Sequence, residues 1–393
     1  MVLSLMPVTR ACSCVKDTEE SRFSHLQTNI KYIIMEITVK PYSGEEYDMI
    51  VFCHLRWDFV YQRPQHLISR LAQNRKILVV EEPVQTKLNG KGSFEIREIS
   101  SNIHVFQPPV NSIEEIGPYL RKRLSSKSFE IGWFYSPAFV TVLEHLDFDT
   151  VVYDCMDELS LFRGAPKQLI DQENQLLQAA DAVFTGGKSL YESKSQKHHN
   201  VFCFPSSVDL DHFSNTDAEK PEDMRNIPSP IVGYYGVIDE RIDLDLLHKT
   251  AIMSPEVSFV MVGPLCKISE ADLPRTNNIF YLGMKSYEEL PAYLSYFDIA
   301  MMPFALNDAT KFISPTKTLE YMAASKPIIS TKIKDVVRDY SDCIMLVENA
   351  EEFHHAVQNP HSQFQKRYHE ILEKTSWDTT AEKMSSILEK ILI

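Results

Sequence analysis

From residue 49 the chain alternates short β-rich runs with amphipathic stretches, breaks once, and then alternates again. The first series places strands at 49–53, 77–81, 103–107, 131–135, 151–153, 182–185 and 201–204, with helical spacing at 65–73 and 167–180. Strands that are apolar throughout and separated by helices require a parallel sheet covered on both faces. Residues 214–230, SNTDAEKPEDMRNIPSP, are polar and acidic, carry three prolines, and read as a linker. The second series places strands at 231–235, 257–262, 279–282, 299–302, 327–330 and 344–347, with helices at 244–251, 287–296, 315–324 and 350–357. Two helices finish the chain. In the last, Trp377, Ala381, Met384, Leu388 and Ile391 recur at helical spacing behind a Ser376 cap. The expectation is an α/β chain of two doubly wound, Rossmann-like domains, 48–213 and 231–375, facing across a cleft. Residues 214–230 join them, and residues 1–47 form an appendage without an assigned role.

Composition narrows the partners. A formal net charge of −14 over 393 residues argues against nonspecific nucleic-acid binding. No apolar run approaches the roughly 18–20 residues that span a bilayer. The seven cysteines are scattered and include no C-x-x-C pair, and several lie in apolar runs. Free thiols in a reducing compartment, the cytoplasm, are expected.

Residues 314–330, SPTKTLEYMAASKPIIS, read as loop, short helix and buried strand. Ser314 suits an N-cap and Pro315 the first helical position. Such a helix start offers free backbone N–H groups and the positive end of its dipole to an anion. Lys317 adds a cation that the dipole does not favour, so an external anion is its natural partner. Glu320, one turn on, can accept hydrogen bonds from the vicinal diol of a ribose. Phosphate and sugar on one helix suggest a nucleotide-sugar site.

The segment resembles the donor-site helix of retaining GT-B glycosyltransferases of the group 1 family. Their signature there runs approximately Pro, two or three residues, Glu-Tyr/Ala-Met/Leu-Ala, a small residue, then Lys-Pro-Val-Val-Ser/Thr. The resemblance implies that Glu320 holds the nucleotide ribose and that amides around Ser314, Thr316 and Thr318 meet the diphosphate. Further motifs resemble one subgroup of that family, found alone or fused to a UDP-galactopyranose mutase domain. They are the 53–66 loop, Glu81-Glu82-Pro83, Tyr153–Leu159, Phe184–Tyr191, Pro205–Asp209 and Gly236–Arg241. The likeness covers about residues 49–393. It implies a UDP-linked donor, with galactose or galactofuranose indicated, and transfer with retention. No cofactor is implied, since the nucleotide sugar is a substrate, and the family's pocket needs no metal. The acceptor would be a sugar, glycan or lipid-linked saccharide, which leaves room for peripheral contact with the inner membrane face. A C-terminal helix, here 376–393, commonly crosses back onto the first domain.

Ligands of open α/β sheets bind beyond the carboxyl ends of strands. The loop after the first strand is dense in side chains suited to a sugar: His54, Arg56, Trp57, Asp58 and Arg63 are acceptor-binding candidates. Asp154 and Asp157, at another strand end, are candidates to orient an acceptor hydroxyl or take its proton; Asp157 could instead cap the next helix. Gly236 opens the loop that carries Arg241, whose guanidinium suits bidentate phosphate binding; an ion pair with Asp239 or Asp243 is the competing role. Lys267, after Gly263, is a weaker phosphate candidate. Gly283 and Met284 match where the family's backbone reads the base.

Two departures from the family stand out. Val237 occupies the place of one usual phosphate-binding cation. Phe312 occupies that of the acidic residue eight positions before Glu320 that contacts the donor sugar, and Asp308 is the nearest substitute. Gly186-Gly187-Lys188-Ser189 imitates the end of a phosphate-binding P-loop, but Ala182 stands where its first glycine is required. A strand-to-helix turn is expected there. Asp209-x-Asp211 and Asp243-x-Asp245 are poor metal motifs. The departures keep two alternatives open, a nucleotide-sugar-binding scaffold that has lost catalysis and a GT-B epimerase. A dehydrogenase is disfavoured, because no G-x-G-x-x-G follows a strand.

Overall fold

The computed structural model describes residues 46–83, 96–214, 218–361 and 364–392, so the expected N-terminal appendage lies outside it but for residues 46 and 47. The first sheet contains β1 (Met49–Cys53), β2 (Ile77–Glu81), β3 (Arg97–Ser100), β4 (Ile103–Phe106), β5 (Ser128–Phe134), β6 (Asp147–Cys155), β7 (Ala182–Thr185) and β8 (Val201–Cys203). Their order is β3-β4-β2-β1-β5-β6-β7-β8, and all pairs are parallel except β3 with β4. β1, MIVFC, is buried along its whole length, as a central strand covered on both faces must be. β3 is the strand the sequence did not announce: its four residues, REIS, are all exposed, three of them polar or charged, and it only edges the sheet.

The second sheet contains β9 (Ile231–Tyr235), β10 (Ser258–Val262), β11 (Ile279–Gly283), β12 (Ile299–Met302), β13 (Ile328–Thr331) and β14 (Met345–Val347), all parallel, in the order β11-β10-β9-β12-β13-β14. In both sheets the chain works outward from a central strand, returns, and works outward the other way. The reversal opens a crevice at the carboxyl ends of β1 and β5 in one sheet and of β9 and β12 in the other. The fold is GT-B: two Rossmann-like α/β domains.

The last helix, Trp377–Ile391, packs on Arg63–Leu71, and its Trp377, Ala381, Met384 and Leu388 share one core with Met49, Val51 and Trp133 of the first sheet. Trp377 stacks on His66 with centroids 4.7 Å apart. Ser376 caps the helix by accepting from the Thr379 amide.

The P-loop-like turn is a strand-to-helix turn, and it meets the other domain. Ser189, on the helix Lys188–Lys194, donates its amide to both Asp335 carboxylate oxygens at 3.2 Å, and its hydroxyl also donates to Asp335. A side chain at Gly187 would come within 2.7 Å of that carboxylate and 3.0 Å of the Ser314 Cβ. Glycine is therefore what permits the approach. The anion at this helix start is supplied by the protein itself.

Candidate active site

The crevice wall is built mainly by the β9 end and the segment 313–320. Gly236 follows β9 with φ +130°, and Gly263 follows β10 with φ +148°. A Cβ on Gly263 would meet the Gly236 carbonyl oxygen at 1.9 Å, and one on Gly236 would meet Lys317 Cε at 2.3 Å. The two glycines thus clear a space into which the lysine side chain extends.

The helix starts two residues later than expected, at Lys317, and runs to Ala323. Ser314 is not its cap: the carbonyl of Ser314 accepts from Ser206 of the first domain at 2.8 Å, and Thr316 donates to the same hydroxyl at 3.1 Å. The tight first turn leaves the amides of Thr316 and Lys317 without a hydrogen bond among the described residues. Thr318 is a correction. Its amide already donates to the Pro315 carbonyl at 3.2 Å, its side chain is fully buried with the hydroxyl on Met302 Sδ at 3.4 Å, and it does not line the crevice.

Lys317 makes no hydrogen bond or ion pair among the described residues, and its Nζ lies 5.4 Å from the Tyr234 ring centroid. Burial pushes its pKa down to about 8; Glu320 opposes the fall and Arg241 adds to it. Glu320 is 7% exposed and accepts from the Tyr235 hydroxyl at Oε2, 2.6 Å away, while Oε1 accepts nothing among the described residues. Burial raises its pKa, against the Tyr235 bond and Lys317.

Arg241 is held by Asp239: Nε lies 3.0 and 3.1 Å from the two carboxylate oxygens and Nη2 lies 2.7 Å from one. The competing ion pair is real, but Asp239 is 5% exposed and the pair sits at the crevice. Nη1 keeps no hydrogen-bond partner among the described residues. The carboxylate therefore orients the guanidinium and leaves one edge free. Burial alone would lower the Arg241 pKa; the hydrogen bond and charge of Asp239 outweigh it and raise the value.

Asp157 reaches the crevice from the first domain, and its carboxylate accepts no hydrogen bond among the described residues. It caps nothing, since Glu158 precedes the next turn. Burial raises its pKa to about 6, with Arg241 opposing, Asp239 adding, and Lys267 and Lys317 opposing. Asp154 is the second correction. It is fully buried, and Arg63 grips it with Nε at 3.1 and 3.2 Å and Nη2 at 2.9 Å. Arg63 Nη1 donates to the Phe204 carbonyl at 2.8 Å. The pair ties helix Arg63–Leu71 to β6; Arg63 also lines the crevice, as the sequence expected of it, whereas Asp154 does not.

The remaining candidates lie off the crevice wall. Arg56 bonds Glu81 at 3.2 Å and the Glu82 carbonyl, the Trp57 amide bonds Glu81 at 2.7 Å, and Asp58 pairs with Arg97 on the surface. His54 Nδ1 is buried without a partner, and burial holds its pKa near about 4, so the ring is neutral. Gly283 and Met284 are exposed at the end of β11; Lys285 beside them lines the crevice and pairs with Asp223 at 2.7 Å. Asp243 caps the helix Leu244–Met253, Asp245 pairs with Lys249, and Asp308 is exposed and absent from the wall. Asp239, Tyr235 and Ser206 escaped the sequence as site residues, although the β9 position of Tyr235 was legible.

Residues 229–361 match the family model of group 1 glycosyl transferases. A protein of Bacillus subtilis (strain 168) named as a teichuronic acid biosynthesis glycosyltransferase, TuaH, is 26% identical over 220 residues, 51% of this chain and 55% of that protein. The chain thus spans about half the length of this curated relative. Among solved structures, Anabaena Alr3699/HepE in complex with UDP-glucose superimposes with a TM-score of 0.64 at 12% identity, over 88% of this chain and all of that one. Sucrose-phosphate synthase from Thermosynechococcus elongatus follows at 0.63 and 15%, over 87% and 98%. The structural likenesses carry the fold. The likeness to group 1 glycosyl transferases thus lies in residues 229–361, and the fold around it is GT-B.

Proposed function

We propose that the protein transfers a sugar from a nucleoside-diphosphate sugar, UDP-linked, to an acceptor hydroxyl in polysaccharide or glycoconjugate synthesis. The observation that carries this reading is the meeting of Arg241, Lys317 and two unpartnered amides in one crevice, with Glu320 Oε1 open beside them. Two fixed cations and peptide dipoles neutralise a departing diphosphate without reorganising, which is where preorganised charge lowers a barrier most. Glu320 accepts from the ribose. Asp157, from the opposite domain, orients the acceptor hydroxyl and takes its proton. Retention, and charge neutralisation by side chains in place of a metal, complete the proposal. The UDP preference rests on the nucleotide in the HepE complex, and the polysaccharide context rests on the name of TuaH. The subgroup resemblance adds a hexose donor. A cytoplasmic enzyme of this kind meets a lipid-linked acceptor at the inner membrane face; no helix among the described residues is long and apolar enough to cross a membrane.

One observation favours a second reading. Phe312, in place of the acidic residue expected against the donor sugar, packs against the core of the first domain. A scaffold that binds UDP-sugar without turnover has the same crevice. Calorimetric titration with UDP, followed by UDP release from UDP-hexoses with and without an acceptor panel and EDTA, decides between them. Binding with acceptor-dependent, EDTA-insensitive release supports the enzyme.

Glu320→Ala should weaken UDP binding by about tenfold or more, the worth of hydrogen bonds to a charged group; unchanged affinity would remove the ribose role. The pH profile of kcat/KM should be a bell. Asp157 must be ionised, so activity falls below its value of about 6. Lys317 must be protonated, so activity falls above about 8. A flat profile between pH 5 and 9 counts against both assignments.

A further inference from the structure

The loop 156–163 of the first domain reaches over the loop that follows β9. The ring of Phe162 faces two cations of the other domain: Arg241 Cζ lies 5.6 Å from its centroid and Lys267 Nζ 4.7 Å. The next amide, of Arg163, donates to both oxygens of Glu240 at 3.1 and 3.2 Å. Glu240 also stands 3.5 Å from Lys267. At the other end of the loop, Glu158 receives the fully buried Lys194 ammonium at 2.8 Å on both oxygens, and Lys194 also holds Glu173 at 2.5 Å. The loop is therefore pinned at its start to its own domain and at its end to the other.

We infer that Phe162 is a positioning residue of the donor site, and that the grip on the diphosphate is completed by the first domain. This rests on the reading that Arg241 binds the diphosphate. An aromatic face attracts a cation electrostatically, more so where water is excluded, and a planar guanidinium stacks on it. Asp239 fixes the Nε edge of Arg241, and Phe162 limits where the plane can swing. Nη1 is left as the free donor. Phe162 touches no reacting atom and acts only through Arg241 and Lys267. It also lies outside residues 229–361, so a donor-site element sits in the stretch that the family model does not reach. Donor affinity then depends on contact between the two domains.

The test uses the full chain and UDP. Phe162→Leu keeps apolar bulk and removes the ring face; Phe162→Tyr keeps both. Leucine should raise the Kd for UDP by about three- to tenfold, with tyrosine near wild type. Uridine, which has no phosphates, should bind wild type and Phe162→Leu alike by saturation-transfer NMR. Arg241→Ala is the reference and should raise the Kd for UDP more than Phe162→Leu does. If Arg241→Ala weakens binding while Phe162→Leu does not, or if uridine and UDP weaken together in the leucine variant, the positioning role is overturned and the donor site stands. If Arg241→Ala leaves UDP binding unchanged, the donor reading itself fails, and this inference with it.

Discussion

Lys317→Ala lowers kcat/KM by about 10²–10³-fold while the protein stays folded; loss of one preorganised donor to a developing anion has that magnitude. The structure makes the expectation specific, because the ammonium is half-buried with no carboxylate in hydrogen-bonding contact. An unpaired cation in such a place costs stability in the empty protein. Alanine should therefore leave the melting temperature unchanged or raise it, opposite in sign to the loss of activity. The proton linkage points the same way. The free enzyme binds UDP through protonated Lys317, so affinity declines as pH rises past about 8, and binding takes up a proton there. In Lys317→Arg the charge persists at every accessible pH, so the alkaline decline should vanish even if overall activity is reduced. Full activity in Lys317→Ala, measured as acceptor-dependent UDP release, would remove the lysine from the chemistry.

The fold was legible because its signal is redundant. Each series of apolar runs is long, and a parallel sheet buried on both faces tolerates little else in its central strands, as MIVFC in β1 shows. β3 escaped since an exposed edge strand carries no such signature. Within the site, helical geometry predicts more than motif likeness did. Lys317 and Glu320 are three apart and share the crevice face, whereas Thr318 is turned about 100° from Lys317, toward Met302. What no local pattern can show is which partner a charge finds across the fold. Arg63 and Asp154 lie 91 residues apart and both stand near strand ends, where the general rule for ligand binding places functional groups. That rule points to the crevice and could not tell which carboxylate faces it and which is taken up by an arginine of its own domain. Phe162 belongs to the same class. Its importance comes from what crosses over to meet it, and the two sides of the contact are far apart in sequence.

The sharpest consequence of that distinction is for Asp154. Asp154→Ala should destabilise the protein by about 3–5 kcal/mol, because it leaves the Arg63 guanidinium buried without its counter-ion. Burial raises the Asp154 pKa and Arg63 opposes the rise, so the pair is held by mutual charge and would not survive loss of either member. Denaturant midpoints measure the effect directly. The double variant Arg63→Met with Asp154→Leu should recover much of the loss, since an apolar pair of similar volume replaces both charges and leaves neither stranded. Arg63 lines the crevice while Asp154 does not, so UDP binding by the double variant reads out the crevice side of Arg63 separately from the stability of the pair. Asp157→Asn should behave in the reverse manner, with a denaturant midpoint near wild type and transfer strongly reduced, its carboxylate having no protein hydrogen bond to lose. If Asp154→Asn instead abolished transfer at an unchanged midpoint, the carboxylate would have to turn from Arg63 into the crevice during the reaction. The ion pair described here would then be a resting arrangement and not a structural one.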